Sequence, residues 1–265
     1  MEFYKLQCLG NDFIVVEEVN NVDYKALAIK LCNRNVGIGA LGLIVIKMDF
    51  SKYTYYNDCG EIVSRPTLGL MEFFTYISLK EIKLKYKLDF LTSYSKISST
   101  LSDGKVIIDL AKPSFNNQML AISDSIDSFG RLLIINNIHY TIYSLFLHEI
   151  FTIIFVDDFD CYICQNPELI ANDKLFRKKT NVCFVKKIDE NNIKIKCYDY
   201  INGYKQFNII SAGASVLVGK ELKILKSDCI VCFDYGSVNV SIDKKKNVTI
   251  SGKSELVYIG KIGDE

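Results

Sequence analysis

Short stretches in which apolar and polar residues alternate recur along the whole chain. This period of two is typical of half-buried β-strands, and several stretches are joined by Asn-Asn or Asp-Gly pairs that favour tight turns. The alternating stretches begin at Phe13, Leu43, Lys105, Arg131, Thr152, Asn192, Ser237 and Asn247. The pattern predicts a chain dominated by strands.

Four other segments space their apolar residues three and four apart, which predicts helices. They begin at Asn21, Pro66, Asn166 and Ser211. The second and fourth contain "LGLMEFFTYI" and "AGASVLVG", which carry few charges, so we expect both to be core helices buried against a sheet. Strands and helices together predict an α+β fold.

The order of these elements suggests an internal repeat. Strands, a helix, more strands and an apolar helix come first, and the same series returns after "LAKPSF". We therefore predict two pseudo-symmetric domains, 1–114 and 115–252, each a mixed sheet around a central helix. The C-terminal strand within 253–265 is expected to return to the first domain.

Composition limits the class of protein. The 265 residues are 49% hydrophobic and 24% charged, and 32 basic against 31 acidic residues leave a net charge of +1. A nucleic-acid partner is not expected, since no long basic run is present, and no apolar run reaches the roughly 18 residues of a membrane helix. The N-terminus lacks the apolar core of a signal peptide, so the cytoplasm is the expected location. The bias towards Lys, Asn and Ile suggests a bacterial source.

Three candidate sites are weakened by their context. "GIGALG" at Gly37–Gly42 has the spacing of a dinucleotide-binding loop, but a helix precedes it and a strand follows, which reverses the required order. Cys161 and Cys164 form a C-x-x-C pair, as do Cys229 and Cys232. The first pair by itself could be redox-active or have no chemical role. The second pair lies in an apparent strand, where residues three apart point to opposite faces and cannot share one metal. We expect no metal, and free thiols rather than disulfides.

Only two histidines are present, and both fall in strand-like segments. His148 precedes Glu149, so the two could form an acid/base pair. A partly buried, hydrogen-bonded structural histidine is the more common alternative.

Six motifs, in order, resemble those of the diaminopimelate epimerase family. "CLGNDFIVVE" resembles G-L-G-N-D-F-x-V-x-D, "RNVGIGALGLIVI" resembles R-x-x-G-I-G-A-D-G-L, and "YNDCGEIVSRPTLGL" resembles N-x-D-G-S-E-x-x-x-C-G-N-G. "KPSF", "TNVCFV" and "SGKSELVYIGKI" resemble E-P-x-F, A-N-I-x-F and T-G-P-A-x-x-V-Y-x-G. The spacing is kept over essentially the whole chain.

The resemblance implies two α+β domains with the substrate held in the cleft between them, and chemistry that needs no cofactor. In the family, one cysteine thiolate removes the Cα proton of an amino acid while a second thiol on the opposite face delivers one. Each thiol lies at the N-terminus of a central helix, where the partial positive charge favours a thiolate.

Both thiol positions are replaced in this sequence. The first falls on Pro66, which suits the first turn of a helix because the N–H it lacks would be unpaired there. The second falls on Ile210 or, if a two-residue insertion is not allowed, on Asn208. The resemblance therefore implies a catalytically impaired or inactive relative.

The remaining substrate positions are partly retained. Tyr200 stands where the family has an arginine, and "EIF" at Glu149–Phe151 where it has N-P-H, so diaminopimelate itself is not the expected ligand. The positions that match substrate-binding residues are Asn11, Asn57, Asn181, Asp199 and Tyr200. Each asparagine is also next to a turn or strand end, where a local hydrogen-bonding role is equally plausible.

Cys59 and Cys183 are near these asparagines in sequence and are candidates for relocated acid/base thiols, although neither begins a predicted helix. Two functions follow. The first is an impaired relative that binds a small amino-acid-like ligand or acts as the partner of an active relative, and either a homodimer or a heterodimer with that relative is possible. The second is a working amino-acid epimerase or racemase with relocated acid/base residues.

Overall fold

The computed structural model describes residues 1–63, 67, 69–82, 88–91, 96–110, 112–122, 127–161, 164–201, 203–204 and 208–263, with the backbone alone for 88–91. The chain divides into two compact units. The first contains Met1–Phe90, Ser98–Ile108 and Gly252–Glu265, and the second contains Leu91–Ile97 and Asp109–Ser251.

The first unit is built on a five-stranded sheet. Its strands are β1 Glu2–Cys8, β2 Asn11–Glu17, β3 Gly42–Ile46, β4 Tyr53–Asn57 and β16 Glu255–Lys261. They lie in the order β16-β1-β2-β3-β4. Only β2 and β3 run parallel, and the helix α1 at Tyr24–Cys32 connects them. The side chain of Asp23 caps this helix by accepting the N–H of Ala26 at 3.1 Å.

The apolar helix of the first unit, α2, spans Leu70–Leu79 and packs against β1, β2 and β16. It was expected to open on Pro66 but begins at Leu70. Gly69, immediately before it, has φ +77°, which ends any continuous helix at this point. A Cβ there would lie 2.7 Å from Ile44 Cδ1, so the position needs glycine for space as well. Strands β5 Leu88–Leu91, β6 Lys96–Ser102 and β7 Lys105–Asp109 follow, adjacent in that order.

The second unit contains a larger sheet. Its strands are β8 Phe129–Ile135, β9 Ile138–Leu147, β10 Glu149–Phe155, β11 Asn181–Lys187, β12 Asn192–Tyr198, β13 Asp228–Phe233, β14 Gly236–Ile242 and β15 Val248–Gly252. They lie in the order β15-β14-β13-β12-β11-β10-β9-β8, with β10–β11 and β12–β13 parallel. Asn136 and Asn137 have φ of 50° and 61°, which confirms the predicted Asn-Asn turn between β8 and β9.

Helix α5, Ile210–Glu221, is the central helix of the second unit and packs against β9–β14. Its residues from Ile210 to Gly219 are all buried, which confirms the predicted core helix. Small residues allow this close packing: a Cβ on Gly213 would come within 2.6 Å of Val248 Cγ1. The described part of the unit also contains two short helices, α3 Asn117–Leu120 and α4 Pro167–Ala171, and α4 is shorter than its sequence pattern suggested.

The predicted α+β class is confirmed by this arrangement of mixed sheets around few helices. Among the described residues, no helix combines the length and the apolar character needed to cross a membrane.

Candidate functional site

Asp12 of the G-N-D-F motif connects strands β1 and β2 to the glycine-rich loop at Gly37–Gly42 through hydrogen bonds. Its carboxylate accepts hydrogen bonds from Lys5 Nζ at 2.7 Å and from Arg34 at 2.7 and 3.1 Å. Its backbone carbonyl accepts the N–H of Leu41 at 2.9 Å, and Lys5 also donates to the carbonyl of Gly39. Burial acts to raise the pKa of Asp12, but the hydrogen bonds from Arg34 and Lys5 outweigh it and the pKa is lowered. Asp12 is therefore an anchor for the loop.

The two asparagines predicted in the first unit have different surroundings. Asn11 is buried at the start of β2, opposite Cys8 of β1. Asn57 ends β4, and its Oδ1 accepts the backbone N–H groups of Cys59 at 3.1 Å and Glu61 at 2.8 Å. The side chain of Asn57 thus closes its own turn, which supports the local hydrogen-bonding role for this residue.

Cys59 lies exposed in that turn, outside any helix. The negative charge of Asp58 raises the pKa of the Cys59 thiol, and Glu61 acts in the same direction. A thiol with a raised pKa is a weaker nucleophile and base near neutral pH because less of it is thiolate.

The first predicted thiol position, Pro66, lies outside the described residues. The first turn of α2, which the structure describes, contains a buried carboxyl group. It belongs to Glu72, which is only 2% exposed. Its Oε1 has no hydrogen-bond partner among the residues that the structure describes. Burial raises the pKa of Glu72 to about 8, so the side chain is largely a neutral acid at pH 7. Burial also raises the pKa of nearby Cys8, with the charge of Glu72 contributing.

In the second unit, the carboxylate of Glu149 accepts hydrogen bonds from the side-chain amides of two asparagines. Its Oε2 accepts hydrogen bonds from Nδ2 of Asn181 and from Nδ2 of Asn208, both at 2.8 Å. Glu149 begins β10, Asn181 begins the adjacent parallel strand β11, and Asn208 precedes α5. Asn181 and Asn208 are buried, whereas Glu149 is partly exposed. We call Glu149, Asn181 and Asn208 the amide–carboxylate cluster.

The cluster lies at the N-terminus of α5. Asn208 Oδ1 accepts the backbone N–H of Ile210 at 3.1 Å, and the carbonyl of Asn208 accepts the hydroxyl of Ser211 at 2.6 Å. Of the two alternative thiol positions, Asn208 therefore belongs to the polar cluster, while Ile210 is a buried residue of the core. The positive end of the helix dipole favours an anionic group here.

Asp199 and Tyr200 follow β12 near the same cluster. Asp199 is 1% exposed, and its Oδ1 accepts the N–H of Ile201 at 2.9 Å. The backbone N–H of Tyr200 lies 3.4 Å from Asn181 Oδ1, and the Tyr200 ring packs against the core group that includes Phe184. Tyr200 thus contacts the cluster through its backbone.

Cys183 is completely buried in β11, directly opposite Cys197 of β12, with 2.8 Å between the two sulfur atoms. Burial raises the pKa of Cys183 well above its usual value, with Cys197 and Asp199 acting in the same direction. A hydrogen bond with Ser211 of α5 acts in the opposite direction but is outweighed.

The suggested acid/base pair of His148 and Glu149 is not formed. His148 lies between β9 and β10 at φ 62°, and its Nε2 is 2.7 Å from the carbonyl oxygen of Leu110. Glu149 is instead bound to the two asparagines. The side chains of the pair have separate partners.

Among the described residues, no group of three or more His, Cys, Asp or Glu side chains is close enough together to hold a metal ion. Cys161 and Cys164 have their sulfur atoms 3.7 Å apart. Cys229 is buried in β13, and Cys232 on the same strand is partly exposed.

Sequence reasoning did not single out Glu72, and it noted Glu149 and Asn208 without assigning either to ligand binding. A charged residue within an apolar helix start was the available signal for Glu72. For Glu149, the signal was a carboxylate at the place of a family asparagine, but its partners are 32 and 59 residues away in sequence.

Known proteins resemble this chain in sequence and, at lower identity, in fold. No protein-family model matches the chain. A diaminopimelate epimerase of Caldanaerobacter subterraneus subsp. tengcongensis is 31% identical over 272 residues, covering 99% of both chains. Those of Carboxydothermus hydrogenoformans and Halothermothrix orenii are 27% and 28% identical, covering 98–99% of this chain and 98% of each relative.

Solved structures share the fold at much lower sequence identity. A phenazine biosynthesis protein of the PhzF family from Bacillus anthracis has a TM-score of 0.62 at 11% identity, over 99% of both chains. A protein of Pseudomonas aeruginosa described as a predicted epimerase also has a TM-score of 0.62, at 10% identity, over 100% of this chain and 99% of its own.

Proposed function

The chain belongs to the diaminopimelate epimerase family, and we propose that it binds a small, cationic amino-acid-like ligand without the two-thiol proton transfer of that family. The observation that carries this proposal is the amide–carboxylate cluster at the start of α5, where the family has a thiol. Glu149 and its two asparagine donors form a hydrogen-bonded polar group that is suited to a polar ligand and contains no thiol.

The charge of this region supports a cationic ligand. Tyr200 replaces an arginine of the family pattern and Glu149 replaces an asparagine, so one positive charge is lost and one negative charge is gained. An ammonium group would form charge-assisted hydrogen bonds with the carboxylate of Glu149. A second carboxylate on the ligand, as in diaminopimelate, would be disfavoured.

The surroundings of the remaining thiols support the loss of thiol chemistry. Cys183 is completely buried with a raised pKa, and the charge of Asp58 raises the pKa of Cys59. Neither α2 nor α5 contains a cysteine among its described residues. A two-base transfer needs two groups placed on opposite faces of one substrate carbon, and a completely buried thiol such as Cys183 cannot contact that carbon.

Calorimetric titration tests the binding proposal. L-Lysine is expected to bind more tightly than L,L-diaminopimelate or L-glutamate. The Glu149→Gln variant is expected to bind L-lysine at least tenfold more weakly, which corresponds to about 1.4 kcal/mol. Glu168→Gln, on an exposed face of α4, is the matched control and should bind as the unmodified chain does. Equal affinity for lysine in both variants would contradict the proposal.

One observation favours a second function, an isomerase that moves protons with carboxyl groups. Glu72 is a buried acid in the first turn of α2, and burial raises its pKa to about 8. A perturbed carboxyl pKa such as that of Glu72 is common at catalytic sites.

Deuterium uptake at Cα separates the two functions. The chain is incubated in D₂O with L,L-diaminopimelate, lysine, histidine and glutamate, beside an active epimerase as positive control, and exchange is followed by NMR. No uptake is expected from the first proposal. Uptake by the unmodified chain that is abolished in Glu72→Gln would establish the second function.

A further inference from the structure

Two cysteines of the second unit face each other across neighbouring strands. Cys183 of β11 is paired in register with Cys197 of β12, and their sulfur atoms are 2.8 Å apart. Both are free thiols. Thiols this close need little movement to form a disulfide, in which the sulfur atoms are about 2.05 Å apart.

Strand pairing already meets the backbone requirement. Directly opposed residues of an antiparallel pair have Cα atoms about 4.5–5.5 Å apart. Disulfides usually join residues whose Cα atoms are about 4.4–6.8 Å apart. The two strands are therefore spaced for a bond between these side chains.

The two thiols differ in exposure. Cys183 is 0% exposed, whereas Cys197 is partly exposed to solvent. A reagent in solution can reach Cys197 first, and Cys183 then lies in contact with the sulfur that has reacted. This asymmetry matches the roles of an attacking and a resolving thiol.

We propose that Cys183 and Cys197 form a reversible disulfide when the chain meets a low-molecular-weight disulfide such as oxidised glutathione. Such a bond is compatible with free thiols in a reducing compartment, where protein disulfides are transient.

The exchange has two steps. Cys197 loses its proton and attacks one sulfur of oxidised glutathione, forming a mixed disulfide and releasing one glutathione thiolate. Cys183 then loses its proton and attacks Cys197 Sγ, which forms the internal disulfide and releases the second glutathione thiolate. The two protons lost by the cysteines are taken up by the two glutathione thiolates. The protein pair is oxidised and the reagent is reduced.

The bond would form next to the amide–carboxylate cluster. Asn181 lies two residues before Cys183, and Asp199 lies two residues after Cys197. Residues two apart on a strand share a face, so Asn181 and Cys183 lie on one side of β11, and Asp199 directly follows β12. Ser211 of α5, whose hydroxyl donates to the carbonyl of Asn208, acts to lower the pKa of the Cys183 thiol. A change in the redox state of Cys183 and Cys197 is therefore expected to affect the start of α5.

The test uses the purified full chain in glutathione buffers of increasing oxidised fraction. Free thiols are blocked by alkylation, and the digested protein is mapped by mass spectrometry. We expect a Cys183–Cys197 cross-link that is lost on reduction. The fraction of chains that carry it should be smaller when the chain is oxidised in urea than when it is oxidised in the folded state. The Cys161→Ser variant should form the cross-link as the unmodified chain does.

The Cys197→Ser variant should show no cross-link to Cys183 while keeping its circular dichroism spectrum. Alkylation of both cysteines under all native oxidising conditions would overturn the proposal. A stable mixed disulfide on Cys197 that is never resolved would overturn it equally, as would cross-linking that is faster in urea than in the folded chain.

Discussion

The amide of Asn208 donates a hydrogen bond to the carboxylate of Glu149 at 2.8 Å, across 59 residues of sequence. The same carboxylate oxygen accepts a bond from Asn181, and Asn208 also accepts the N–H of Ile210 at the helix start. The polar groups at the start of α5 are therefore two amides and a carboxylate, and this cluster contains no thiol.

Two variants of Glu149 separate structure from charge. Glu149→Ala leaves the buried amides of Asn181 and Asn208 without their shared acceptor and should lower the free energy of unfolding by about 1–3 kcal/mol. Glu149→Gln keeps an acceptor oxygen and should stay close to the unmodified chain. Urea unfolding at pH 7 measures both. An equal loss in the two variants would mean that the charge, rather than the hydrogen bonds, stabilises the cluster.

Glu72 makes the stability of the chain depend on pH. Its pKa in the folded chain is raised to about 8 from 4.5. Its contribution to stability is therefore fully present below about pH 4.5 and is lost as the pH rises towards 8, by about 1.4 kcal/mol per pH unit at most.

The Glu72→Gln variant removes this titration. Relative to the unmodified chain, it should become progressively more stable from pH 5 to pH 8, as measured by urea unfolding at several pH values. The slope of the difference is the informative quantity, because a buried amide adds a penalty that does not change with pH. A difference that stays constant over this range would show that Glu72 is ionised in the folded chain.

Asp12→Asn should destabilise the chain by about 2 kcal/mol or more, because it leaves the buried ammonium of Lys5 without its carboxylate. The matched control is Asp234→Asn, which breaks the exposed ion pair with Lys194 and should cost less than about 1 kcal/mol. Denaturant unfolding at pH 7 compares the two. Similar losses in both variants would contradict the anchoring role of Asp12.

Gly69→Ala tests why α2 begins where it does. Gly69 and Gly104 have φ of +77° and +70°, so alanine at either position is strained, by about 1–2 kcal/mol. Only at Gly69 does the new Cβ also clash, 2.7 Å from Ile44 Cδ1, which should add about 1–3 kcal/mol. Gly104→Ala, with no atom within 4 Å of its Cβ, is the control. Equal losses of unfolding free energy would exclude the clash as a cause.

Local features of the sequence were sufficient for the strands and for the nature of the core helices. The alternation in "RLLIINNIHYTIY" and its central Asn-Asn pair predicted a hairpin, and the structure has one with both asparagines at positive φ. The local role of Asn57 was also among the alternatives, because its partners are only two and four residues away. Such features depend on near neighbours alone.

The start of α2 was placed wrongly because its cause lies outside the segment. Proline at position 66 suits a first turn, but the helix begins at Leu70, after a glycine packed against Ile44 of β3. The contact between helix and sheet is not visible in the residues around Pro66.

The sequence by itself determined the α+β class, the two buried helices and, through six ordered motifs, the family to which the chain belongs. These follow from periodicity and composition, which act over a few residues, and from motif spacing along one chain. Only the tertiary structure decided that Glu149 joins Asn181 and Asn208, that Glu72 is a buried acid and that Cys183 faces Cys197. The physical reason is that strand order and register bring together residues that are distant in sequence, and burial then sets their charge and reactivity.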